Sequence, residues 1–476
     1  MRRRTNLTAF ALAAGLIGAF AAVPDPIPWH QQGAARWMPL QVPSSGKIGF
    51  TSLPATTTDV HFTNQLDDWQ GAANRVLENG SGVAVGDVDR DGRPDLFFCS
   101  LRGQNALYRN LGNWAFEEIT AKAGLAFTNA VSRGAVFADV NSDGWPDLLV
   151  STLAQGVLYL RNDGQGRFVN ETAASGLATN SGAMTLALAD VDGNGTLDLY
   201  VTNYRSEDIR DRARIDVERV NGQVRLAPAL RDRLMLTKDG VLEFGEPDML
   251  YLNDGKGHFR PVSWTGGQFL DEDGRPLSRQ PADWGLTATF RDLNGDGLPD
   301  LYVCNDYWTP DRIWINQGGG RFQAIGRLAM RHTSENSMGV DVADIDRDGQ
   351  PDLLVLDMLS RQPRLRKRQV LAQTRVEAGP GEIANRPQLM RNALFHNRGD
   401  GTFEEIADFA GMPGSDWSWQ PIFVDVDLDG YEDVLIAAGH RRDVQDVDAT
   451  GRIRSLQHPW PNTLDRTAHQ QAFTRK

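Results

Sequence analysis

Short apolar runs recur along the chain at 83–86, 96–99, 135–138 and 148–151, with further runs such as Ala106-Leu107-Tyr108 and Ile313-Trp314-Ile315. Their length and their β-branched and aromatic content are strand signals, and no 3.6-residue stripe accompanies them. Two polar strings punctuate the runs. The first is Asn-x-Gly with Phe six residues after the Asn, at Asn110, Asn162, Asn253, Asn316 and Asn397. Asn and Gly tolerate positive φ, so this string between strand formers predicts a hairpin.

The second string is nine residues long and occurs six times. Position 1 is Asp87, Asp139, Asp190, Asp292, Asp344 and Asp425; position 3 is Asp89, Asn141, Asp192, Asn294, Asp346 and Asp427. Position 5 is Asp91, Asp143, Asn194, Asp296, Asp348 and Asp429; position 9 is Asp95, Asp147, Asp198, Asp300, Asp352 and Asp433. Position 6 is always Gly. The copies start 52, 51, 102, 52 and 81 residues apart, a period near 51 that is stretched twice. Strand, acidic loop, strand, connection, strand, Asn-x-Gly turn, strand is the content of one β-propeller blade. The expected fold is therefore all-β: a propeller of six or seven four-stranded antiparallel blades, with the acidic loop between first and second strands.

The stretches place insertions at 205–247 and 360–390, both between second and third strands. After the sixth loop, 441–476 carries no Asn-x-Gly string, so the last blade lacks outer strands of its own. Residues 48–64, where Val60-His61-Phe62 looks like a final strand, are expected to supply them and close the ring; 441–476 or a partner are the alternatives. All three irregular segments leave from the face opposite the acidic loops.

The chain has 476 residues and a formal charge of −13. Such acidity excludes non-specific nucleic-acid binding. Residues 1–21 read as a cleaved export signal, with Arg2-Arg3-Arg4 before an apolar run and Ala19-Phe20-Ala21 as the cleavage site. Residues 22–57 read as an extended leader and 58–440 as the propeller. No later stretch is apolar enough to span a bilayer, so the expected location is periplasmic, outer-surface or secreted. Cys99 and Cys304 hold equivalent places in separate repeats and are expected to be buried free thiols.

Hard oxygens at alternate positions of a tight loop suit Ca2+, with side-chain ligands at positions 1, 3, 5 and 9. The backbone carbonyl at position 7 completes the set, from Arg93, Trp145, Thr196, Leu298, Gln350 and Tyr431. An EF-hand is excluded because position 12 is apolar and the flanks are strands. One Asp-Gly turn needs no metal, but three or four carboxylates within nine residues repel one another unless a cation or a proton intervenes. Up to six Ca2+ ions are expected.

With these residues in view, the chain resembles the FG-GAP/VCBS repeat proteins, whose blades are like those of the integrin α-subunit propeller. Within that group it is similar to bacterial secreted proteins related to cartilage acidic protein, the ASPIC/UnbV-associated kind. The carrying strings are 80–87, 336–341, Asp416-Trp417-Ser418-Trp419 and 425–439, and the resemblance spans about 58–440. It implies Ca2+ at the loop positions above, an extracellular or periplasmic setting, and adhesion or scaffold roles.

Catalytic signatures are missing: the eight histidines form no metal spacing, and no nucleophile elbow, Walker loop or dinucleotide fingerprint occurs. Trp417 and Trp419 are read as core aromatics, with a glycan-stacking platform as the alternative. Residues 360–390 hold seven basic against two acidic residues, and Arg364, Arg366, Lys367 and Arg368 are the candidate partner site. The function expected is a non-catalytic binding, scaffold or adhesion module for an envelope or extracellular protein or an acidic glycan. The alternative is an exported, glycan-directed enzyme with its site in the channel or the insertions.

Overall fold

The computed structural model describes residues 30–33, 35–37, 49–102, 104–126, 130–212, 215–221, 223–237, 240–369, 383, 385–440 and 446–448. The export signal, most of 441–476 and part of the 360–390 insertion lie outside these residues. The chain divides at Gly49 into two units. In the first, His30–Gln32 and Ala35–Trp37 form an antiparallel hairpin. The second carries the repeats.

Six antiparallel sheets follow the six acidic loops. Sheet one is Val83–Gly86, Asp95–Phe98, Ala106–Gly112 and Ala115–Glu118, hydrogen-bonded in chain order. Sheets two, three and five repeat that order, beginning at Ser132–Ala138, Ala183–Ala189 and Gly339–Ala343. Sheet four begins at Gly285–Arg291 and gains a fifth strand, Phe269–Leu270, which runs parallel to its outer strand Phe322–Ala324. Sheet six contains only Ser418–Val424 and Asp433–Ala438 among the described residues. This is a β-propeller architecture, with the first strands of successive sheets packed in sequence order.

Alternation along the strands builds an apolar layer between every pair of neighbouring sheets. Leu148 and Val150 of sheet two meet Phe97 and Leu107 of sheet one, whereas Leu149 between them meets Leu199 and Tyr251 of sheet three. Tyr200 and Leu250 pack on Leu301 and Trp314, and Tyr302 and Ile313 pack on Leu353 and Phe395. Phe423, Val434 and Ile436 of sheet six pack on Leu354 and Leu394 of sheet five. Each fully buried side chain of this size contributes roughly 1.5–3 kcal/mol.

The two ends of the series differ from the rest. On the face of sheet one away from sheet two, Val83 and Val85 are 50% and 59% exposed. On the face of sheet six away from sheet five, Ile422 and Leu435 are 47% and 41% exposed. Among the described residues, 50–64 add no strand to sheet six, contrary to expectation. Val60 and Phe62 lie instead against sheet one, where Phe62 stacks on Phe98 at 4.9 Å and Tyr108 Oη accepts the His61 N–H at 3.2 Å. The aromatic wall of Phe98, Tyr108 and Phe116 takes up that segment.

Because second-to-third-strand connections leave the end opposite the acidic loops, both insertions emerge there. Residues 205–247 form two hairpins, Val217–Val220 with Gln223–Leu226 and Leu234–Thr237 with Gly240–Glu243, over a small core of Ile209, Ile215, Leu226 and Leu234. The 3-10 turn Arg75–Asn79 is tied to this insertion, since Arg75 N and Nε each donate to Asp211 at 2.9 Å. At the same end Val76, Tyr204, Trp284, Leu286, Met338 and Met358 form one apolar cluster, with Trp417 and Trp419 partly buried against it.

Candidate functional site

All six acidic loops share one conformation. The carboxylate at position 1 accepts the backbone N–H of position 5 on one oxygen and the Gly N–H of position 6 on the other. In the first loop these distances are 3.0 and 2.9 Å, and in the sixth 3.0 and 2.8 Å. The position 5 side chain accepts the N–H of position 7, as in Asp143 from Trp145 at 2.9 Å and Asp348 from Gln350 at 2.8 Å. Glycine is required at position 6, where φ lies between 84° and 89° in every copy. Position 4 is also left-handed in all six, although only Gly193 and Gly295 are glycines there; Arg90, Ser142, Arg347 and Leu428 adopt φ of 59°, 61°, 63° and 58°. Nothing in those four side chains announces this conformation.

Position 9 connects the loop to its sheet. Asp95, Asp147, Asp198, Asp300 and Asp352 are fully buried, whereas Asp433 is exposed. Each buried one accepts the N–H of the following hairpin's Asn, as Asp198 does from Asn253 at 2.8 Å. In four hairpins the same Asn reaches backwards: Asn162, Asn253, Asn316 and Asn397 donate Nδ2 to the carbonyls of Val88, Val140, Val191 and Leu293, at 2.9, 2.8, 3.1 and 2.8 Å. Each acceptor is position 2 of the loop on the preceding sheet. The hairpin string therefore marks inter-sheet staples as well as turns, which local turn chemistry does not reveal.

The side chains at positions 1, 3 and 9 converge. One oxygen from each lies within 4.8 Å of the others in Asp87/Asp89/Asp95, Asp190/Asp192/Asp198, Asp344/Asp346/Asp352 and Asp425/Asp427/Asp433. The second and fourth loops place Asn141 and Asn294 at position 3, so their donor sets carry one charge fewer. An all-oxygen set on a rigid loop fits a hard cation. Electrostatics point the same way: burial, with the loop's other aspartates adding, pushes Asp147, Asp198 and Asp300 up to about 6. Two loops have local partners. Arg109 pairs with Asp89 at 2.5 Å and Arg93 with Asp91, and His396 Nε2 lies 2.9 Å from Asp346.

On the opposite face, the four candidate cations divide. In the helix Pro363–Gln369, Arg364 and Lys367 are exposed. Arg366 Nε donates to the Ser360 carbonyl at 2.5 Å, and Arg368 pairs with Asp446. Cys99 and Cys304 are buried free thiols, and burial pushes Cys99 up to about 12. No helix among the described residues is long and apolar enough to cross a membrane.

Residues 87–150, 139–201, 292–355 and 383–436 match the FG-GAP-like repeat family, the first three matches starting at position 1 of an acidic loop and all four ending on a second strand. The chain is an FG-GAP-repeat β-propeller protein. Cartilage acidic protein 1 of Mus musculus is 31% identical over 131 residues, covering 27% of this chain and 20% of that protein. The Xenopus tropicalis protein of the same name is 26% identical over 200 residues, 41% of this chain and 27% of that one. The chain thus spans less than a third of the length of these curated relatives. Among solved structures, an Agrocybe aegerita lectin that recognises non-reducing terminal N-acetylglucosamine has a TM-score of 0.31 at 17% identity, covering 75% of this chain and 85% of the lectin. The Vibrio cholerae biofilm matrix protein Bap1 has a TM-score of 0.33 at 15% identity, covering 71% of this chain and 40% of its own.

Proposed function

We propose that this FG-GAP propeller is an exported, calcium-stabilised, non-catalytic binding or scaffold module that engages an envelope or extracellular partner through the face opposite its acidic loops. The observation that carries the reading is topological. Both insertions within the repeats, 205–247 and 360–390, join a second strand to a third and so leave the sheets at that one end, whereas the loop end is repeated six times with one conformation. Regular repeats build the scaffold, and irregular connections carry recognition.

In this reading Ca2+ sits within each loop and serves the fold. The Asp and Asn side chains at positions 1, 3, 5 and 9 would hold it with the position 7 carbonyl, and the ion would neutralise charges that otherwise oppose one another, in five of the loops around a buried position 9. Binding to the folded state alone stabilises that state by mass action. Arg364 and Lys367 give the opposite face its exposed positive charge. The test has two arms. Metal analysis with melting curves, with and without chelator, reads the calcium; deletion of 361–389 followed by capture from an envelope fraction reads the face. Unchanged melting with no bound calcium overturns the first half. Capture that survives the deletion and fails on altering exposed residues of the acidic loops overturns the second.

A further inference from the structure

A cavity of about 410 Å3 opens where the fifth-sheet insertion meets sheet six, at the face assigned to binding above. This volume lies within the range of small-ligand pockets. One wall is aromatic: Trp417 stacks on His440 with ring centroids 4.0 Å apart and 24° between planes. The other walls mix apolar groups, Leu365 and Ala438, with hydrogen-bonding ones, Ser360, Gln369 and Asp416.

The wall is held in place before any ligand arrives. Asp416 adopts φ of 65°, a left-handed conformation that an aspartate tolerates better than most residues. Its Oδ1 accepts from Ser360 Oγ at 2.6 Å and from the Arg361 N–H at 3.2 Å, while the Asp416 N–H donates to the Leu359 carbonyl at 3.0 Å. The Trp417 carbonyl accepts from Gly439 N–H at 2.7 Å, and Trp419 Nε1 donates to the Gly439 carbonyl at 2.7 Å. Asp416 itself remains exposed.

We propose that this cavity binds an uncharged sugar residue, the terminal unit of a glycan. The inference rests on the binding face proposed above. A pyranose presents an apolar C–H face, suited to the aromatic wall, and vicinal hydroxyls, suited to a carboxylate that can accept two hydrogen bonds. The charge balance selects against acidic sugars. The cavity holds Asp416 and Asp446 against the single guanidinium of Arg368, which is already paired with Asp446. Among the lining side chains, a uronate or sialate would therefore meet net negative charge.

The test titrates the full chain, by tryptophan fluorescence and calorimetry, with methyl glycosides of neutral hexoses and N-acetylhexosamines and with uronic and sialic acids. Saturable binding of at least one neutral glycoside near 1 mM is expected, the range a single shallow contact set supports. Acidic sugars should bind at least tenfold more weakly. Asp416→Asn, whose side chain tolerates the left-handed backbone, should weaken binding at least tenfold without moving the melting curve, and Trp417→Ala should abolish it. No binding of any glycoside at about 10 mM, equal binding of acidic sugars, or unchanged binding by Asp416→Asn would each overturn the sugar site. If sugars fail while deletion of 361–389 still abolishes partner capture, the sugar site falls and the binding face stands. Sugar binding that survives that deletion places the site elsewhere and overturns this proposal.

Discussion

Asn253 sits between sheets two and three and is 3% exposed. Its Nδ2 donates to Val140 O on the neighbouring sheet at 2.8 Å and to Leu197 O at 3.0 Å, and its Oδ1 accepts the Gly255 N–H at 3.1 Å. Asn253→Ala removes all three bonds and leaves buried carbonyls unpaired. At about 1 kcal/mol per bond, more where a group is stranded, the loss is about 2–4 kcal/mol. Asn110 is the internal control. It is the same residue in the same hairpin of sheet one, but its Nδ2 reaches only its own loop, at Pro94 O, 2.9 Å away. It is only partly buried, so Asn110→Ala should cost about 1 kcal/mol or less. Denaturant unfolding of both variants at saturating calcium gives the difference, and hydrogen exchange at Gly255 should accelerate only in Asn253→Ala. If Asn110→Ala proves as costly as Asn253→Ala, the inter-sheet staple contributes nothing and the account of sheet-to-sheet coupling fails.

Chelation should lower the melting temperature by many degrees and restoring Ca2+ should reverse it, with metal analysis giving up to six ions; an unchanged curve refutes calcium stabilisation. Asp147, Asp198 and Asp300 have folded pKa values raised to about 6 from the ordinary 3.8, so the folded metal-free chain binds protons more tightly than the unfolded one. Their contribution to stability is therefore present below about pH 4 and lost as pH rises through 6, and calcium, which requires the ionised form, should reverse that trend. Melting curves with chelator at pH 5 and 7.5 check this, and a metal-free chain more stable at 7.5 contradicts it. Asp311 accepts from Asn305 N–H, Tyr302 Oη and Ser337 Oγ at 2.9, 2.7 and 2.8 Å, so Asp311→Ala strands three buried donors and should cost about 3 kcal/mol or more in chemical denaturation. Cys99 and Cys304 should resist alkylation in the native chain and react fully once it is unfolded, as thiol titration would record; native labelling of either would contradict their burial.

Most of the scaffold was legible in the residues. Strand runs flanking the Asp-rich and Asn-x-Gly strings locate the first and second strands of all six sheets and the third and fourth of five, because hairpin signals are local and repeated. What escaped is non-local or hidden in backbone geometry. The left-handed position 4 is invisible when Arg90 or Leu428 occupies it. Phe269–Leu270 joins sheet four in parallel, a pairing no adjacent turn announces. Val60 and Phe62 have strand-like character, but the aromatic wall of sheet one, built from residues far along the chain, decides where they lie. At the opposite face, Trp417 serves in two capacities, partly buried in the central cluster and lining a cavity, where residue type alone suggested a choice between them.

The asparagine staples have a direction. In each the donor belongs to the later sheet and the acceptor to the earlier one, so a growing chain always delivers its asparagine to a carbonyl that has already been synthesised. Each sheet can therefore dock on its predecessor as the chain emerges from its N-terminal end, without waiting for anything downstream, which keeps its apolar face from dwelling uncovered. Donor and acceptor are also both carried within every one of these middle units. Excising or duplicating a whole unit rejoins a matching pair at the seam, so a gene of this design can change its number of units without inventing a new junction.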